Sequence, residues 1–345
     1  MDQLKSICAG VLSMAAVGCV SSGNPVAQSD HFDGKKFFNP GHTHTKGFLS
    51  LLKWQLTNDK KKWPEKVENK TYPLPTGPLE RGEIQITFVN HSTLLVRTES
   101  FNFLTDPVWS ERVSPFTWVG PKRVRSAGLS IDQLPPIHAV LVSHNHYDHL
   151  DVGTLKILDK KFRPQFFVPL GDGKLLRENG IDNVVEMDWW QTHELQDAKI
   201  TFMPSMHWSG RWLNDRFDCL WGAFGVEIQG KRVYFAGDTG FADHFKTTRQ
   251  KWGAPDISFL PIGAYEPRWF MKDYHMNPAE AVQAFQDLES KRAIGIHQGT
   301  FQLTDEGIDE PTLHLQDARQ AQGIPPEAFR VLDQGETWIL KKADF

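Results

Sequence analysis

Cysteine is scarce in this chain, with three among 345 residues, at positions 8, 19 and 219. No two of them form a CxxC pair, which excludes a thiolate metal knuckle. A GxSxG nucleophile elbow is absent, and no Ser/His/Asp set replaces it, so a protein nucleophile of that kind is excluded. Basic charge is not in excess: 38 Lys and Arg stand against 42 Asp and Glu, a formal net charge of −4. A chain so balanced lacks the global positive field of a nucleic-acid binder, and no nucleic-acid partner is expected. Short-period repeats and low-complexity tracts are also missing, which removes solenoids and disordered arrays.

Long hydrophobic runs are lacking too. The uncharged stretch from Ser6 to Ser22 follows Lys5, and its apolar part is too short to span a bilayer comfortably. It fits the apolar region of an export signal. "AVGC", ending at Cys19, resembles the bacterial lipoprotein box, with Ala16 where leucine is more usual. The expectation is a signal peptide over 1–18 and a lipidated Cys19 as first mature residue, in an exported bacterial lipoprotein of the cell envelope. Val20 and Ser21 are not the aspartate that retains lipoproteins at an inner membrane, which points to the outer one. Cys219 would then stand alone as a small buried hydrophobe.

What the chain has in quantity is aromatic and β-forming sequence. It holds 12 Trp and 23 Phe, enough for a large core and for an apolar binding surface. Residues 19–80 read as a linker and N-terminal extension, with a short helix over 48–56 followed by an exposed connector. From Arg81 to the C-terminus, short β-rich runs alternate with helices, including one that Asn277 caps with Pro278 at its first position. Mixed strands and helices mean an α/β or α+β layered domain over 81–345. "LLVRTESFNFLTDP" (Leu94 to Pro107) and "FGVEIQGKRVYFAGDTG" (Phe224 to Gly240) share one grammar of hairpin, strand and terminal aspartate. Two such halves would pack sheet on sheet.

Fourteen histidines are present, and some fall in a pattern. "HAVLVS" runs into His144, His146, Asp148 and His149; "KITFMPSM" into His207; "RVYFAG" into Asp238; "RAIGI" into His297. Four separate runs thus end in metal-type side chains, and loops at one edge of a strand layer converge. Buried without a cation, so many imidazoles and carboxylates would incur heavy desolvation and mutual repulsion. One ion would take His144, His146 and His207; a second would take Asp148, His149 and His297, with Asp238 bridging. Imidazole and carboxylate donors suit two zinc ions, and a set without thiolate also accommodates manganese or iron.

The HxHxDH run of His144, His146, Asp148 and His149 resembles the metallo-β-lactamase fold superfamily, whose later His, Asp and His correspond to His207, Asp238 and His297. "FLTDPVWSERVSPF", "SHNHYDHLD", "HWSGRW", "FAGDTG" and "IHQGTF" look like the bacterial relatives of N-acylphosphatidylethanolamine-hydrolysing phospholipase D. The resemblance implies a four-layered αββα sandwich, two mixed sheets face to face with helices outside. It also implies a phosphodiesterase that cleaves phospholipids with water activated by two ions, Asp148 positioning that water. Gln298 departs from the tryptophan expected in the animal enzyme and bears on the shape of the substrate pocket. Lactone or carboxylic ester hydrolysis is the second reading, and a non-catalytic metal-binding lipoprotein the third.

Several further residues are candidates. His275, just before the capped helix, is a second catalytic candidate beside Asp148. Trp109, Trp118 and Arg123 would form a lip for an acyl chain and a phosphate, joined by Trp208 and Arg211 near His207. The expected partners are a phospholipid or other anionic ester and, through the lipid anchor, a membrane surface. No feature of the chain sets an oligomeric state.

Overall fold

The computed structural model describes residues 29–42, 46–74, 76–212 and 214–344. The leader and Cys19 lie outside the described residues, as does His44.

Strands β1 (Ile84–Asn90), β2 (Thr93–Arg97), β3 (Asn102–Thr105), β4 (Ala139–Leu141), β5 (Gln165–Pro169) and β6 (Val184–Met187) form one sheet in that order. The second sheet runs β7 (Thr192–Leu195), β8 (Ala198–Met203), β9 (Ala223–Ile228), β10 (Lys231–Phe235), β11 (Ile257–Pro261), β12 (Arg292–Ile296) and β13 (Phe329–Arg330). The last strand, β14 (Thr337–Leu340), returns to the first sheet and pairs antiparallel with β1.

Both sheets are mixed. The β2–β3 hairpin is antiparallel and β3 then runs parallel to β4; the β9–β10 hairpin is antiparallel and β10 then runs parallel to β11. The repeated grammar of the two sequence segments is therefore a repeated half-fold. Asp106 follows β3 as Asp238 follows β10, so the two aspartates occupy equivalent strand ends.

Strand side chains alternate between faces, and here both faces are covered. Leu94 and Val96 of β2 join Phe202, Phe224 and Phe259 in the core between the sheets. Leu95 faces the other way, onto a layer with Leu155 and Leu158 of α2 (Val152–Phe162) and Leu176 of α3 (Gly173–Glu178). On the far side, Tyr234 and Leu260 meet Phe245 of α4 (His244–Lys251), Phe285 of α6 (Pro278–Asp287) and Leu315 of α7 (Glu310–Ala321). The result is helix, sheet, sheet, helix. The expected cap is present, Asn277 and Glu280 forming a reciprocal capping box with Pro278 in the first turn, and Asp151 also caps α2 by accepting from the amide of Thr154.

The connector after the first helix is largely exposed, as expected, but Trp63 in it is buried. Trp54 of α1 (Phe48–Thr57) and Trp63 are both buried, and their indole N–H groups donate to the Asp305 carboxylate and the Glu306 carbonyl. Tyr72 donates to Asp333. Indoles buried with their one polar atom satisfied strap this segment over the domain. Helix α5 (Arg268–Met271) faces it across a cavity, with Phe270 stacked on Trp54. Cys219 is buried, as expected of a lone structural thiol.

Candidate metal centre

Strand ends bring the ligand-type residues together. His144, His146, Asp148 and His149 follow β4, His207 follows β8, Asp238 follows β10 and His297 follows β12. Two donor sets result. In one, ligand atoms of His144, His146 and His207 lie within 4.8 Å of one another; in the other, those of Asp148, His149, His297 and His91 do. Asp238 Oδ2 sits between the sets, 3.2 Å from His149 Nε2, 3.1 Å from His297 Nε2 and 4.0 Å from His207 Nε2. His275 Nδ1 is 3.8 Å from the same oxygen.

Backbone geometry forces these residues into place. Asp106, His91 and His297 all hold positive φ, at 32°, 46° and 60°, a region costly for non-glycine residues and found at over-determined functional sites. Gly237 lets the Asp238 loop lie on the ligand loop, since a Cβ there would come 2.5 Å from Cβ of Ser143. The amide of His297 donates to the carbonyl of His91, clamping the two strand ends to each other.

Hydrogen bonds behind the histidines set which nitrogen faces inward. His149 Nδ1 donates to Asp106 at 2.5 Å, and His207 Nδ1 to the Tyr274 carbonyl at 3.0 Å. Ser143 Oγ donates to Asp106, so it accepts from His144 Nδ1 at 2.9 Å. The Nε2 atoms of His144 and His207 are then left with lone pairs toward the centre, while that of His149 lies against Asp238 and Asp148. Burial opposes a charge on His149, but the charges of Asp238, Asp148 and Asp106 outweigh it and hold His149 well above the usual histidine range. His144 Nε2 and His207 Nε2 approach His146 Nδ1 at 2.9 and 3.3 Å. Burial, reinforced by neighbouring histidine charges, holds His144 and His207 well below the usual histidine range, and burial lowers His146 to about 3. Converging lone pairs on neutral rings repel one another unless a cation sits among them. Asp238 Oδ1 and His146 Nε2 are moreover buried without any hydrogen-bond partner. The donor set fits a centre of divalent metal.

Of the residues expected to touch substrate, only Trp208 lines the cavity above this centre, its ring 4.3 Å from that of His146. Arg211 instead donates to the carbonyls of Asn145 and Leu150, bracing the ligand loop from beneath. Arg123 donates to the carbonyls of Ser110 and Val108, and Trp109 to that of Leu129. Trp118 is 75% exposed beside Phe116. Trp109, Arg123 and Arg211 thus brace loops, while Trp118 stands exposed. Loop carbonyls shielded from water need donors, and these long cationic side chains supply them. His275 does line the cavity, as do Asp148, Asp238 and His146.

His91 was missed. It follows β1 as the other ligand-type residues follow their strands, so the same end-of-strand rule points to it. Its Nε2 lies 3.0 Å from Asp148 Oδ2 and its side chain is fully buried. Burial, with help from the His297 charge, lowers its pKa to about 3, so it is a neutral donor that orients the carboxylate. Replacing His91 with glutamine is expected to weaken metal retention about 10- to 100-fold, as loss of an outer partner of a metal ligand does. Titration with a competing chelator measures this, and unchanged retention removes His91 from the centre.

A His/Asp centre at the joined ends of two stacked mixed sheets defines a metallo-hydrolase of the β-lactamase superfamily, and the beta-lactamase superfamily domain description fits residues 101–298. The chain belongs to that superfamily. More particularly, it is 39% identical over 266 residues to N-acyl-phosphatidylethanolamine-hydrolyzing phospholipase D 1 of Caenorhabditis elegans, covering 73% of this chain and 74% of the relative. It is 38% identical over 260 residues to an uncharacterized protein of Mycobacterium tuberculosis, covering 73% and 69%. Among solved structures, a metallo hydrolase of Ignicoccus hospitalis aligns with TM-score 0.57 at 20% identity over 75% of this chain and 99% of that one. An isothiocyanate hydrolase from Delia radicum gut bacteria aligns with TM-score 0.59 at 18% identity, over 74% and 98%. These two establish the shared fold.

Proposed function

We propose that the protein is a two-zinc phosphodiesterase of the phospholipase D type that acts on N-acylphosphatidylethanolamine-like phospholipids. The observation that carries the reading is a cavity of ≈ 510 Å³ that ends on His146, Asp148, Asp238 and His275. Its walls are mainly apolar, with Leu51, Trp54, Trp208, Phe270 and Met271 among them. That lining suits an acyl chain, and the charged floor suits a phosphate. The similarity to the nematode phospholipase D supports the same choice. Leu49 and Leu56 of α1 are 79% and 77% exposed beside Leu51 and Leu52, an apolar face suited to a lipid surface. Among the described residues no helix is long and apolar enough to cross a membrane. Export and acylation of Cys19 would hold the enzyme at the envelope where such substrates lie.

His144, His146 and His207 would hold one ion, and Asp148, His149 and His297 the other, with Asp238 shared. Bound divalent ions supply Lewis acidity toward phosphoryl oxygens and make water acidic enough to attack near neutral pH. Asp148, steadied by His91, orients the attacking water with its carboxylate. His275 lines the cavity and burial lowers its pKa to about 4. At neutral pH it therefore serves as an uncharged N–H donor to a substrate oxygen. The new bond joins the water oxygen to phosphorus and the bond to the N-acylethanolamine oxygen breaks. That oxygen takes up a proton, and phosphatidic acid remains.

Purified protein should carry about two transition-metal ions per chain and hydrolyse both bis(p-nitrophenyl) phosphate and N-acylphosphatidylethanolamine vesicles. Mass spectrometry of metals and of lipid products tests this together. Lactone cleavage without any diester turnover would replace the phosphodiesterase reading with the lactonase one.

A further inference from the structure

We propose that Arg216 is the anion-recognising residue of the cavity, holding a phosphoryl oxyanion of an amphiphile whose apolar chain lies along the aromatic wall. The inference rests on the reading of this cavity as the substrate channel, and it concerns a residue that plays no part in holding metal.

Arg216 lines the same cavity as His146 and His275. Its Cζ lies 4.5 Å from the ring of Trp208 and 4.7 Å from that of Phe217. One Nη donates to the carbonyl of Lys46 at 2.9 Å and the other to the hydroxyl of Tyr274 at 3.4 Å. Both acceptors are neutral. Among the described residues no carboxylate comes within ion-pair distance of Arg216, although most of the buried or half-buried cations nearby are otherwise accounted for. Lys46, on the same wall, is paired with Asp273 at 2.6 Å. Arg211 and Arg123 are consumed by backbone carbonyls.

A half-buried guanidinium without a counter-charge is a poor structural choice. Methionine or leucine would fill the space between Trp208 and Phe217 without any desolvation penalty. Stacking on two aromatic faces recovers part of that penalty, on the order of 0.5–2 kcal/mol. Desolvation already pulls the Arg216 pKa down from the ordinary arginine value. A guanidinium carries five N–H donors; two are used here and Nε is buried, so one N–H on each Nη remains as a pair that matches phosphate oxygens. A cation kept short of its anion on the wall of an apolar cavity is completed by a ligand that brings the anion.

Position supports the assignment. Trp208 touches both, its ring 4.5 Å from Arg216 Cζ and 4.3 Å from the ring of His146. Tyr274 accepts from Arg216 through its hydroxyl, while its carbonyl accepts from His207. The recognition group and the metal centre thus share one connecting residue without sharing a ligand.

The test uses the full-length, metal-loaded protein and isothermal titration with octyl phosphate and with 1-octanol. Arg216→Met is expected to weaken octyl phosphate binding about tenfold, the usual weight of a hydrogen bond to a charged group, and Arg216→Lys by less. Affinity for 1-octanol and the metal content should stay at the wild-type level. Unchanged octyl phosphate affinity in Arg216→Met overturns the proposal, as does an equal loss for 1-octanol, which would make Arg216 a wall residue only. Wild-type protein that binds octyl phosphate in this Arg216-dependent way yet hydrolyses no ester would sink the hydrolase reading and leave this one intact.

Discussion

Asp238→Asn is expected to lower hydrolysis by on the order of 10²–10³-fold, as loss of one pre-organised charged group at a reacting centre does, while the protein stays folded. Asparagine matches aspartate in volume, and Asp238 is almost fully buried, so packing is preserved. The charge is what changes. Asp238 Oδ2 lies within 4.0 Å of nitrogens from His149, His207, His275 and His297, and Oδ1 is buried with no partner. Asp148 meets His91, His149 and His297, all of one set, and Asp106 meets His149 from behind, through Nδ1. A neutral amide in that place removes the anionic oxygen and aims N–H groups at lone pairs that are meant for a cation. Metal content should fall alongside turnover, and circular dichroism should hold. Full turnover with two ions retained in Asp238→Asn would remove the shared-carboxylate arrangement.

Asp106→Ala should cost stability rather than chemistry alone, by about 3–5 kcal/mol, the range for removing one partner of a buried charged network. Asp106 is completely buried and accepts three hydrogen bonds, from the Ser143 amide at 2.7 Å, Ser143 Oγ at 2.6 Å and His149 Nδ1 at 2.5 Å. Alanine leaves all three donors without partners in a place water does not reach. It must also adopt the positive φ of 32° that aspartate tolerates better. Urea unfolding of metal-free protein isolates this effect from ion binding, and a shift under about 1 kcal/mol contradicts the role. The two aspartates end equivalent strands in the two halves of the fold. Asp238 faces the donor sets themselves, whereas Asp106 stands behind them and holds His149 in the tautomer that a metal requires.

The residues of the candidate centre were legible because their chemistry is local to strand ends. A short apolar run that stops at a histidine or aspartate repeats for β4, β8, β10 and β12, and the alternation of strand side chains lets both faces of each run be buried. The two-sheet architecture was legible for the same reason, since the β2–β3 and β9–β10 segments repeat one pattern. His91 fell outside the reading only because the rule was not extended to β1. Of the residues expected to touch substrate, Trp208 lines the cavity and the others do not. Arg123 and Arg211 carry the charge expected of phosphate-binding residues, but whether a guanidinium meets ligand or carbonyl depends on which loops pack beside it.

The four-layered αββα form came from the resemblance to the metallo-β-lactamase superfamily, while from composition, spacing and periodicity alone came a layered domain of mixed strands and helices and the strand ends that carry the His and Asp side chains. These follow from forces acting within a few residues of each site. Only tertiary structure decided that α1 and α5 roof the cavity, that Trp54 and Trp63 strap the N-terminal segment down, and that Arg216 rather than Arg211 borders the channel. Those outcomes depend on which surfaces meet when distant segments pack, and on which buried polar groups are left for a side chain to satisfy.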